Sequence, residues 1–332
     1  MSIPRIFRSL EEAASQFGPS AITIGNFDGL HVGHRELMRR TVLLARETGS
    51  KPSALTFHPH PKAVVSQIGA PKLLTLPEER CALMAGEGIE QVLILPFDTS
   101  IAALTPVEFF ARILTRTLGA RAVCVGDNFH FGQGQEGHVD VLAGLGAQLG
   151  VKVEIVEAIV RRGAVVSSSE IRRLIDLGNV SRAGRLLERP YSMSGDVVPG
   201  EGRGSRQTVP TLNLEISSLD SAERALPARG VYITRTFDPA SRRRWVSITN
   251  VGHRPTFDGE HLTIETFLLE ALEPPTPARI RLEFFRRVRE ERRFPDAESL
   301  KAQILADVTR ARAFFRRVIR ERIAEPTLPP PR

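Results

Sequence analysis

Residues 25–34 read Gly25-Asn26-Phe27-Asp28-Gly29-Leu30-His31-Val32-Gly33-His34 and join two different sequence patterns. The four residues before them are an apolar run, Ala21-Ile22-Thr23-Ile24, typical of a buried strand. After them, apolar residues recur at helical spacing until Gly49, where a helix is expected to end. The pattern therefore predicts a strand, a tight loop and a helix N-terminus, where backbone N–H groups and the helix dipole favour phosphate.

His31 and His34 are three residues apart, so both side chains point the same way on a helical turn. Two imidazoles beside a helix N-terminus suit the stabilisation of charge on a phosphoryl group. Two alternatives stay open from the residues alone. The histidines could form only local hydrogen bonds in a turn, or they could join His58 and His60 in a zinc site. Neither a Cys ligand pattern nor an H-E-x-x-H motif supports zinc.

Composition narrows the class of protein. The 332 residues suffice for two domains, and 42% hydrophobic residues are typical of a globular protein. The net charge of +7 comes almost entirely from arginine, and 6% aromatic residues without a reading motif do not indicate specific nucleic-acid binding. The chain has two cysteines, no signal-peptide pattern and no run near the ~20 apolar residues that cross a membrane. We therefore expect a cytoplasmic protein with no membrane partner.

Residues 20–157 alternate predicted strands with predicted helices, for example a helix over 106–118. This alternation predicts a parallel sheet with right-handed crossovers, whose ligands bind beyond the carboxyl ends of the strands. The loops at Gly25, Phe57 and Gly126 would then share one edge. The predicted strands are Ala21–Ile24, Ala54–Phe57, Gln91–Phe97, Ala122–Val125 and Lys152–Val156.

After two short predicted helices, 169–177 and 180–187, the pattern changes to strands separated by turn residues. Six short strands followed by one helix predict a small closed barrel with a helical lid. The helix would begin near Asp296 and bury Leu300, Ile304, Val308, Ala311 and Phe315. The predicted strands are Met193–Val198, Thr211–Ile216, Val231–Phe237, Trp245–Asn250, Leu262–Leu269 and Ile280–Phe285.

The string at 25–34, which ends in an HxGH signature, resembles the adenylyltransferase module of prokaryotic bifunctional riboflavin kinase/FMN adenylyltransferases. The resemblance implies a Rossmann-like nucleotidyltransferase domain over 1–188 and a riboflavin-kinase barrel over 189–325, and the proline-rich residues 326–332 are expected to form a disordered tail. It also implies that His31 and His34 contact the ATP phosphates and stabilise the transition state. The expected binding residues of this loop are Gly25, Asn26, Phe27, Asp28 and Gly33.

Three further segments resemble motifs of that module. Residues 56–61 follow a strand and supply Phe57, His58 and His60, while residues 125–132 supply Asp127, Asn128 and Phe129. Residues 167–172 resemble the SSTxIR motif, in which the arginine, here Arg172, holds the ATP phosphates. The serines of that motif are Ser167, Ser168 and Ser169. Taken singly, these segments could be a rigid turn or a capped helix.

Residues 132–137 also match G-x-G-x-x-G. A dinucleotide fingerprint starts directly at the end of a strand, whereas here several residues intervene after Val125. We interpret these glycines as a loop of the third motif and not as an NAD site.

The second half resembles riboflavin kinase. By that resemblance, Thr211 and Asn213 bind Mg²⁺ and ATP phosphates, and Glu265, which follows Asn250-Val251-Gly252-His253-Arg254-Pro255-Thr256-Phe257, is the catalytic base. The expected ATP and flavin contacts of the barrel are Gly200, Gly204, Pro210, Thr211, Asn213, Asn250, Arg254 and Arg289. Two segments depart from the family pattern, namely Thr208 in place of a glycine and 272–278 in place of a DLYG-like loop.

The sequence therefore predicts a bifunctional enzyme that phosphorylates riboflavin to FMN and adenylylates FMN to FAD. Its substrates would be riboflavin, FMN and ATP, its metal Mg²⁺, and its state a monomer or a transient oligomer. An adenylyltransferase with a weakened kinase module is the nearest alternative. A basic RNA-binding protein on the same fold is a remote one.

Overall fold

The computed structural model describes residues 4–66, 69–161, 163–199, 211–217, 223–256, 259–292 and 294–324. These residues divide into two compact units. One contains residues up to Arg172 together with 223–225, and the other contains the remainder from Arg173 onward. The structure thus groups 173–188 with the second unit, whereas the boundary predicted after 188 groups them with the first. That boundary stays a prediction, and the tail at 326–332 lies outside the described residues.

The first unit is built on a six-stranded parallel sheet with the order β1-β4-β3-β2-β5-β6. Its strands are β1 (Arg5–Phe7), β2 (Ser20–Ile24), β3 (Lys51–His58), β4 (Gln91–Pro96), β5 (Ala120–Gly126) and β6 (Lys152–Val156). The predicted parallel sheet is confirmed. Strand β1 was not predicted from the sequence, because its three residues are too few to show a period of two.

Alternation along the strands separates two cores. On β5, Val123 and Val125 face one cluster of buried side chains, and Ala122 and Cys124 face another. Burial raises the pKa of the Cys124 thiol to about 12, so the thiol stays protonated at neutral pH. Both faces of the sheet are therefore buried, as parallel sheets require.

The helices of the first unit are α1 (Leu10–Gln16), α2 (Val32–Glu47), α3 (Pro61–Val65), α4 (Pro77–Gly86), α5 (Thr99–Ala102), α6 (Pro106–Glu108) and α7 (Val139–Leu149). The division between the units falls inside α8 (Ser168–Asp176). A 3₁₀ turn at Gln133–Gln135 and two short paired strands, β7 (Val160–Arg161) and β8 (Ala164–Val165), complete the connections.

The helix predicted over 106–118 begins as α6 and continues as a π-helix, Phe109–Thr117. The backbone N–H of Leu118 donates to the Ile113 carbonyl, five residues back, over 3.0 Å. Phe110 and Leu114 are buried as the pattern predicts. Apolar residues recur at nearly the same spacing in an α-helix and in a π-helix. The sequence pattern therefore does not distinguish the two hydrogen-bonding patterns, and only the structure does.

The second unit contains α9 (Val180–Leu187) and a closed antiparallel barrel with the order β10-β13-β12-β11-β14-β9. The strands are β9 (Tyr191–Val198), β10 (Thr211–Glu215), β11 (Gly230–Phe237), β12 (Arg244–Thr256), β13 (Gly259–Leu268) and β14 (Arg279–Arg289). The predicted six-stranded barrel and its C-terminal helix, α10 (Ala297–Ala324), are confirmed.

Helix α10 is capped as predicted, since the Asp296 carboxylate accepts from the Ser299 N–H over 2.7 Å. Its Ala311 and Phe315 are buried on the outer face of the barrel with Val231 and Ile233. The other three predicted helix residues, Leu300, Ile304 and Val308, are half-buried. Of the helices in the described part of the chain, none has both the length and the apolar character to cross a membrane.

Candidate active sites

The first unit contains a cavity of about 750 Å³ whose wall includes residues of all four motifs. These motifs meet because the carboxyl ends of parallel strands lie at the same edge of the sheet. The predicted residues that line it are Gly25, Asn26, Phe27, Asp28, His31, Gly33, His34, Phe57, His60, Asp127, Asn128, Phe129, Ser167, Ser168, Ser169 and Arg172. His58 does not line the cavity, although it belongs to the same motif as His60.

The two histidines of the first motif are stacked, with ring centroids 3.6 Å apart and an interplanar angle of 18°. His31 is the N-cap of α2, and its Nδ1 accepts from the His34 backbone N–H over 3.4 Å. In the neutral ring of His31 this bond leaves the proton on Nε2. The pair can therefore present imidazole N–H groups where the helix N-terminus already favours an anion.

The glycines of the loop make room for aromatic rings. A Cβ added at Gly25 would lie 3.1 Å from the Phe27 ring, and one at Gly33 would lie 3.3 Å from the His31 ring. Phe27 itself has a positive φ of 48°, and its ring packs edge-on against His34 at 5.4 Å. The glycine positions thus have a steric reason in addition to a turn preference.

Asp28 lies in the cavity wall but directs its carboxylate into the protein. The side chain is 2% exposed and accepts from the Leu74 and Thr75 backbone N–H groups at 2.9–3.0 Å. The Nη1 of Arg172 donates to Asp28 Oδ2 over 2.7 Å. The Ser168 hydroxyl donates to the Asp28 carbonyl over 2.8 Å. The first and fourth motifs are therefore joined at Asp28.

His60 is the N-cap of α3, and its Nδ1 accepts from the Lys62 N–H over 3.1 Å. Burial, reinforced by the positive charge of Arg172, lowers the pKa of His60 to about 4. His60 is therefore neutral at physiological pH, with its remaining proton on Nε2. Within the described residues, no three His, Cys, Asp or Glu side chains are grouped as ligands of a metal ion.

The third motif contributes an aromatic wall. Phe129 stacks on Phe131 at 5.5 Å, and Phe131 contacts Phe109 at 5.7 Å. Asp127 accepts from the Ala158 N–H over 3.1 Å, so it anchors the neighbouring loop. An apolar wall with a few polar groups is the usual lining of a small-molecule site.

The glycines at 132–137 have packing roles. A Cβ at Gly132 would lie 2.8 Å from Pro106, and one at Gly137 would lie 2.6 Å from the Phe131 ring. The interpretation of this segment as a loop of the third motif agrees with its place in the cavity wall, where Gly132 and Gly134 lie.

Sequence reasoning missed the segment that holds Asp28. Thr75 and Arg80 are buried at 6% and 2% exposure, and both interact with the carboxylate. Thr75 lies two residues before α4, and Arg80 lies in its first turn, in the run Pro77-Glu78-Glu79-Arg80, which is typical of the charged start of an ordinary helix. The sequence contains no signal that would have separated Arg80 from a solvent-exposed arginine.

In the barrel, Asn213, Glu265 and Asn250 lie opposite one another on three adjacent strands, β10, β13 and β12. Side chains two residues apart share a face, so Thr211 lies on the same face as Asn213. This is the outer face, because the alternate residues Leu212 and Thr266 are buried in the interior. The four polar residues predicted for kinase chemistry are thus brought together.

One acidic residue, Glu291, extends this group. The Asn250 amide donates to Glu291 over 3.3 Å, and a Cβ at Gly252 would lie 2.4 Å from the same carboxylate. Arg289, predicted as a flavin contact, donates through Nε to Asp307 over 2.9 Å. Gly200, Gly204 and Pro210 lie outside the described residues, and of Arg254 only the backbone in β12 is described.

Comparisons with known proteins match the two halves of the chain to two enzyme families. A family model for FAD synthetase matches residues 13–170, and one for riboflavin kinase matches residues 187–315. A bifunctional riboflavin kinase/FMN adenylyltransferase from Pseudomonas fluorescens is 33% identical over 310 residues, covering 93% of this chain and 97% of the relative. The chain belongs to the bifunctional riboflavin kinase/FMN adenylyltransferase family.

Other comparisons extend over the same length. The family member of Escherichia coli K12 is 31% identical over 315 residues, covering 95% of this chain and 98% of the relative. A crystal structure from Streptococcus pneumoniae, described as a macrolide-efflux protein, has a TM-score of 0.82 at 27% identity and covers 94% of this chain and 99% of that one. That description concerns the S. pneumoniae protein; what this family member shares with it is the fold.

Proposed function

We propose that the protein phosphorylates riboflavin to FMN in its barrel and transfers AMP from ATP to FMN in its sheet unit. The proposal rests mainly on the convergence of four motifs, separated by up to 147 residues from Gly25 to Arg172, on one cavity. Family membership supports both reactions, since both family models match.

In adenylyl transfer, a phosphate oxygen of FMN forms a bond to the α-phosphorus of ATP, and the bond to the pyrophosphate oxygen breaks. Negative charge develops on the α-phosphoryl oxygens and on the leaving pyrophosphate. The charge on the α-phosphoryl oxygens is stabilised by the His31 and His34 imidazoles and by the N-terminus of α2. Arg172 holds the phosphates. His60 is neutral, and its Nε2–H is available to donate a hydrogen bond to a phosphate without adding charge. Catalysis here depends on positioning and on charge stabilisation.

In the kinase reaction, the 5′-hydroxyl oxygen of riboflavin forms a bond to the γ-phosphorus of ATP, and ADP leaves. The Glu265 carboxylate accepts the hydroxyl proton as the bond forms. Asn213 and Asn250 flank Glu265 in the ladder and orient the reactants on the outer face of the barrel.

The residues present suit Mg²⁺. Thr211 and Asn213 offer hydroxyl and amide oxygens on one face, and hard oxygen donors are the ligands that this ion prefers. When bound, Mg²⁺ neutralises charge on the transferred phosphoryl group. We further infer that the enzyme works in the cytoplasm, as a monomer or a transient oligomer, on small molecules and without a specific nucleic-acid partner.

The decisive experiment incubates the purified protein with Mg-ATP and either riboflavin or FMN and separates the flavins by chromatography. We expect FMN and then FAD from riboflavin, and FAD with stoichiometric pyrophosphate from FMN. FAD from FMN alone would indicate a weakened kinase module. Salt-dependent retention of RNA at physiological ionic strength, without ATP turnover, would replace the proposal with the RNA-binding alternative.

A further inference from the structure

Arg80 is a buried cation beneath the loop of the first motif, residues 25–34. It is 2% exposed, and its Nε has no hydrogen-bond partner within the described residues. Burial lowers the pKa of the Arg80 guanidinium, and the Asp28 charge opposes that shift. A buried cation with an unsatisfied N–H destabilises a fold, so this position suggests a role other than packing.

The Arg80 guanidinium supports the loop at two points. Its Nη1 donates to the Thr56 hydroxyl over 3.1 Å, and that hydroxyl donates to the Asn26 carbonyl over 3.2 Å. Its Nη2 donates to the Thr75 carbonyl over 3.2 Å and lies 3.9 Å from Asp28 Oδ1. The guanidinium therefore supports the loop at Asn26 through Thr56 of β3, and also the segment that binds the Asp28 carboxylate.

Asp28 is shared between two arginines. Its Oδ2 binds Arg172 at 2.7 Å, and its Oδ1 faces Arg80. Arg172 borders the cavity, whereas Arg80 does not. Because Arg80 offsets part of the Asp28 charge, Asp28 can orient Arg172 without cancelling its positive field toward a phosphate.

The geometry points to Arg80 as a positioning residue for adenylyl transfer, which acts through Asp28 to hold Arg172 against the nucleotide cavity. This inference rests on the proposed adenylyltransferase function. Arg80 does not line the cavity, so it acts through its partners and not through direct contact with ATP, and the inference assigns this effect to Arg172 through Asp28.

The test compares Arg80→Met with Arg224→Met in the full-length protein. Arg224 is a matched control, because it is also buried in the sheet unit and pairs with Glu79, the residue next to Arg80. We expect Arg80→Met to lower kcat for FAD formation on the order of 100-fold, as loss of alignment does, with the KM for FMN little changed. Arg224→Met is expected to keep a kcat close to wild type.

A double-mutant cycle separates positioning from a general loss of stability. If Arg80 acts through Arg172, adding Arg80→Met to Arg172→Lys lowers kcat no further than Arg172→Lys alone. Additive losses, or a kcat for Arg80→Met equal to that of Arg224→Met, would overturn the inference. FMN formation by the barrel of the same molecules measures how much active barrel each preparation contains, and the thermal midpoint and the KM for ATP in FAD formation report whether the sheet unit of each variant is folded and binds ATP.

Arg80→Lys covers the case in which Arg80→Met does not fold. Lysine keeps the charge but cannot reach Thr56 and Thr75 together. A lowered kcat that is coupled to Arg172 supports the inference, and wild-type FAD formation overturns it. If wild-type protein makes no FAD from FMN and ATP, it is the proposed function that fails, before any variant is compared.

Discussion

The imidazole rings of His31 and His34 are stacked 3.6 Å apart at the N-terminus of α2, where His31 also caps the helix. One side chain therefore serves both the local structure and the proposed chemistry. This arrangement places two imidazole rings at the helix N-terminus where a phosphoryl group would bind.

Replacing His31 is expected to abolish FAD formation and to spare FMN formation. His31→Ala removes a donor aimed at the developing charge, and the loss of one such donor costs about 10²–10³-fold in kcat. Both products can be measured in one reaction by flavin chromatography. His138→Ala is the matched control, because His138 is half exposed and does not line the cavity. Normal FAD synthesis by His31→Ala would remove His31 from the site.

Replacing Glu265 is expected to produce the opposite pattern. Glu265→Gln keeps the shape of the side chain but removes the proton acceptor, which lowers kcat for FMN formation by about 10²–10⁴-fold. FAD formation from supplied FMN is expected to continue. Glu270→Gln, an exposed position just beyond β13, serves as the control. A kinase rate for Glu265→Gln like that of Glu270→Gln would contradict the assignment.

His60 is expected to make the stability of the protein depend on pH. Burial holds its folded pKa at about 4, below the ordinary value of 6.5. Between these pH values His60 binds a proton in the unfolded chain but not in the folded one. Its contribution to the free energy of unfolding is therefore fully present above pH 6.5 and is lost as the pH falls toward 4.

His60→Gln removes this titration but keeps a polar side chain. The thermal midpoints of the wild type and the variant are measured from pH 7.5 to pH 4. As the pH falls, the midpoint of the wild type is expected to decrease more steeply than that of the variant. Parallel curves for the two proteins would mean that His60 titrates alike in the folded and unfolded states.

Asp307 is expected to be necessary for the packing of α10. Its carboxylate is 2% exposed and accepts from the Arg289 Nε over 2.9 Å. Asp307→Asn leaves a largely buried arginine without its counter-charge, and breaking a buried pair costs about 3–5 kcal/mol of unfolding free energy.

Urea unfolding measures this loss. Glu290→Gln removes a carboxylate that lies 3.9 Å from Arg287 and is 86% exposed, and it is expected to change the free energy of unfolding by less than about 1 kcal/mol. Equal midpoints for the two variants would show that the Arg289–Asp307 pair contributes no more than a surface pair.

Much of the fold could be predicted because its signals are local. Alternation of apolar runs with helical spacing predicts the parallel sheet, and turn residues between short strands predict the barrel. The π-helix at Phe109–Thr117 and the strand at Arg5–Phe7 could not be predicted, since neither leaves a distinct period. Half-burial of Leu300 also differs from the expectation, because helical spacing shows which face is apolar but not how completely it is covered.

For the candidate sites, the sequence by itself determined which residue types are available and in which local context. Neighbouring residues alone indicate the glycine loop, the histidine spacing and the motif at the end of β3. Only the tertiary structure decided that Asp28 binds Arg172 across 144 residues, that His58 stays off the cavity, and that Arg80 is buried beneath the loop. The physical reason is that burial and charge pairing depend on contacts between segments far apart in the chain. A local sequence pattern carries no information about those contacts.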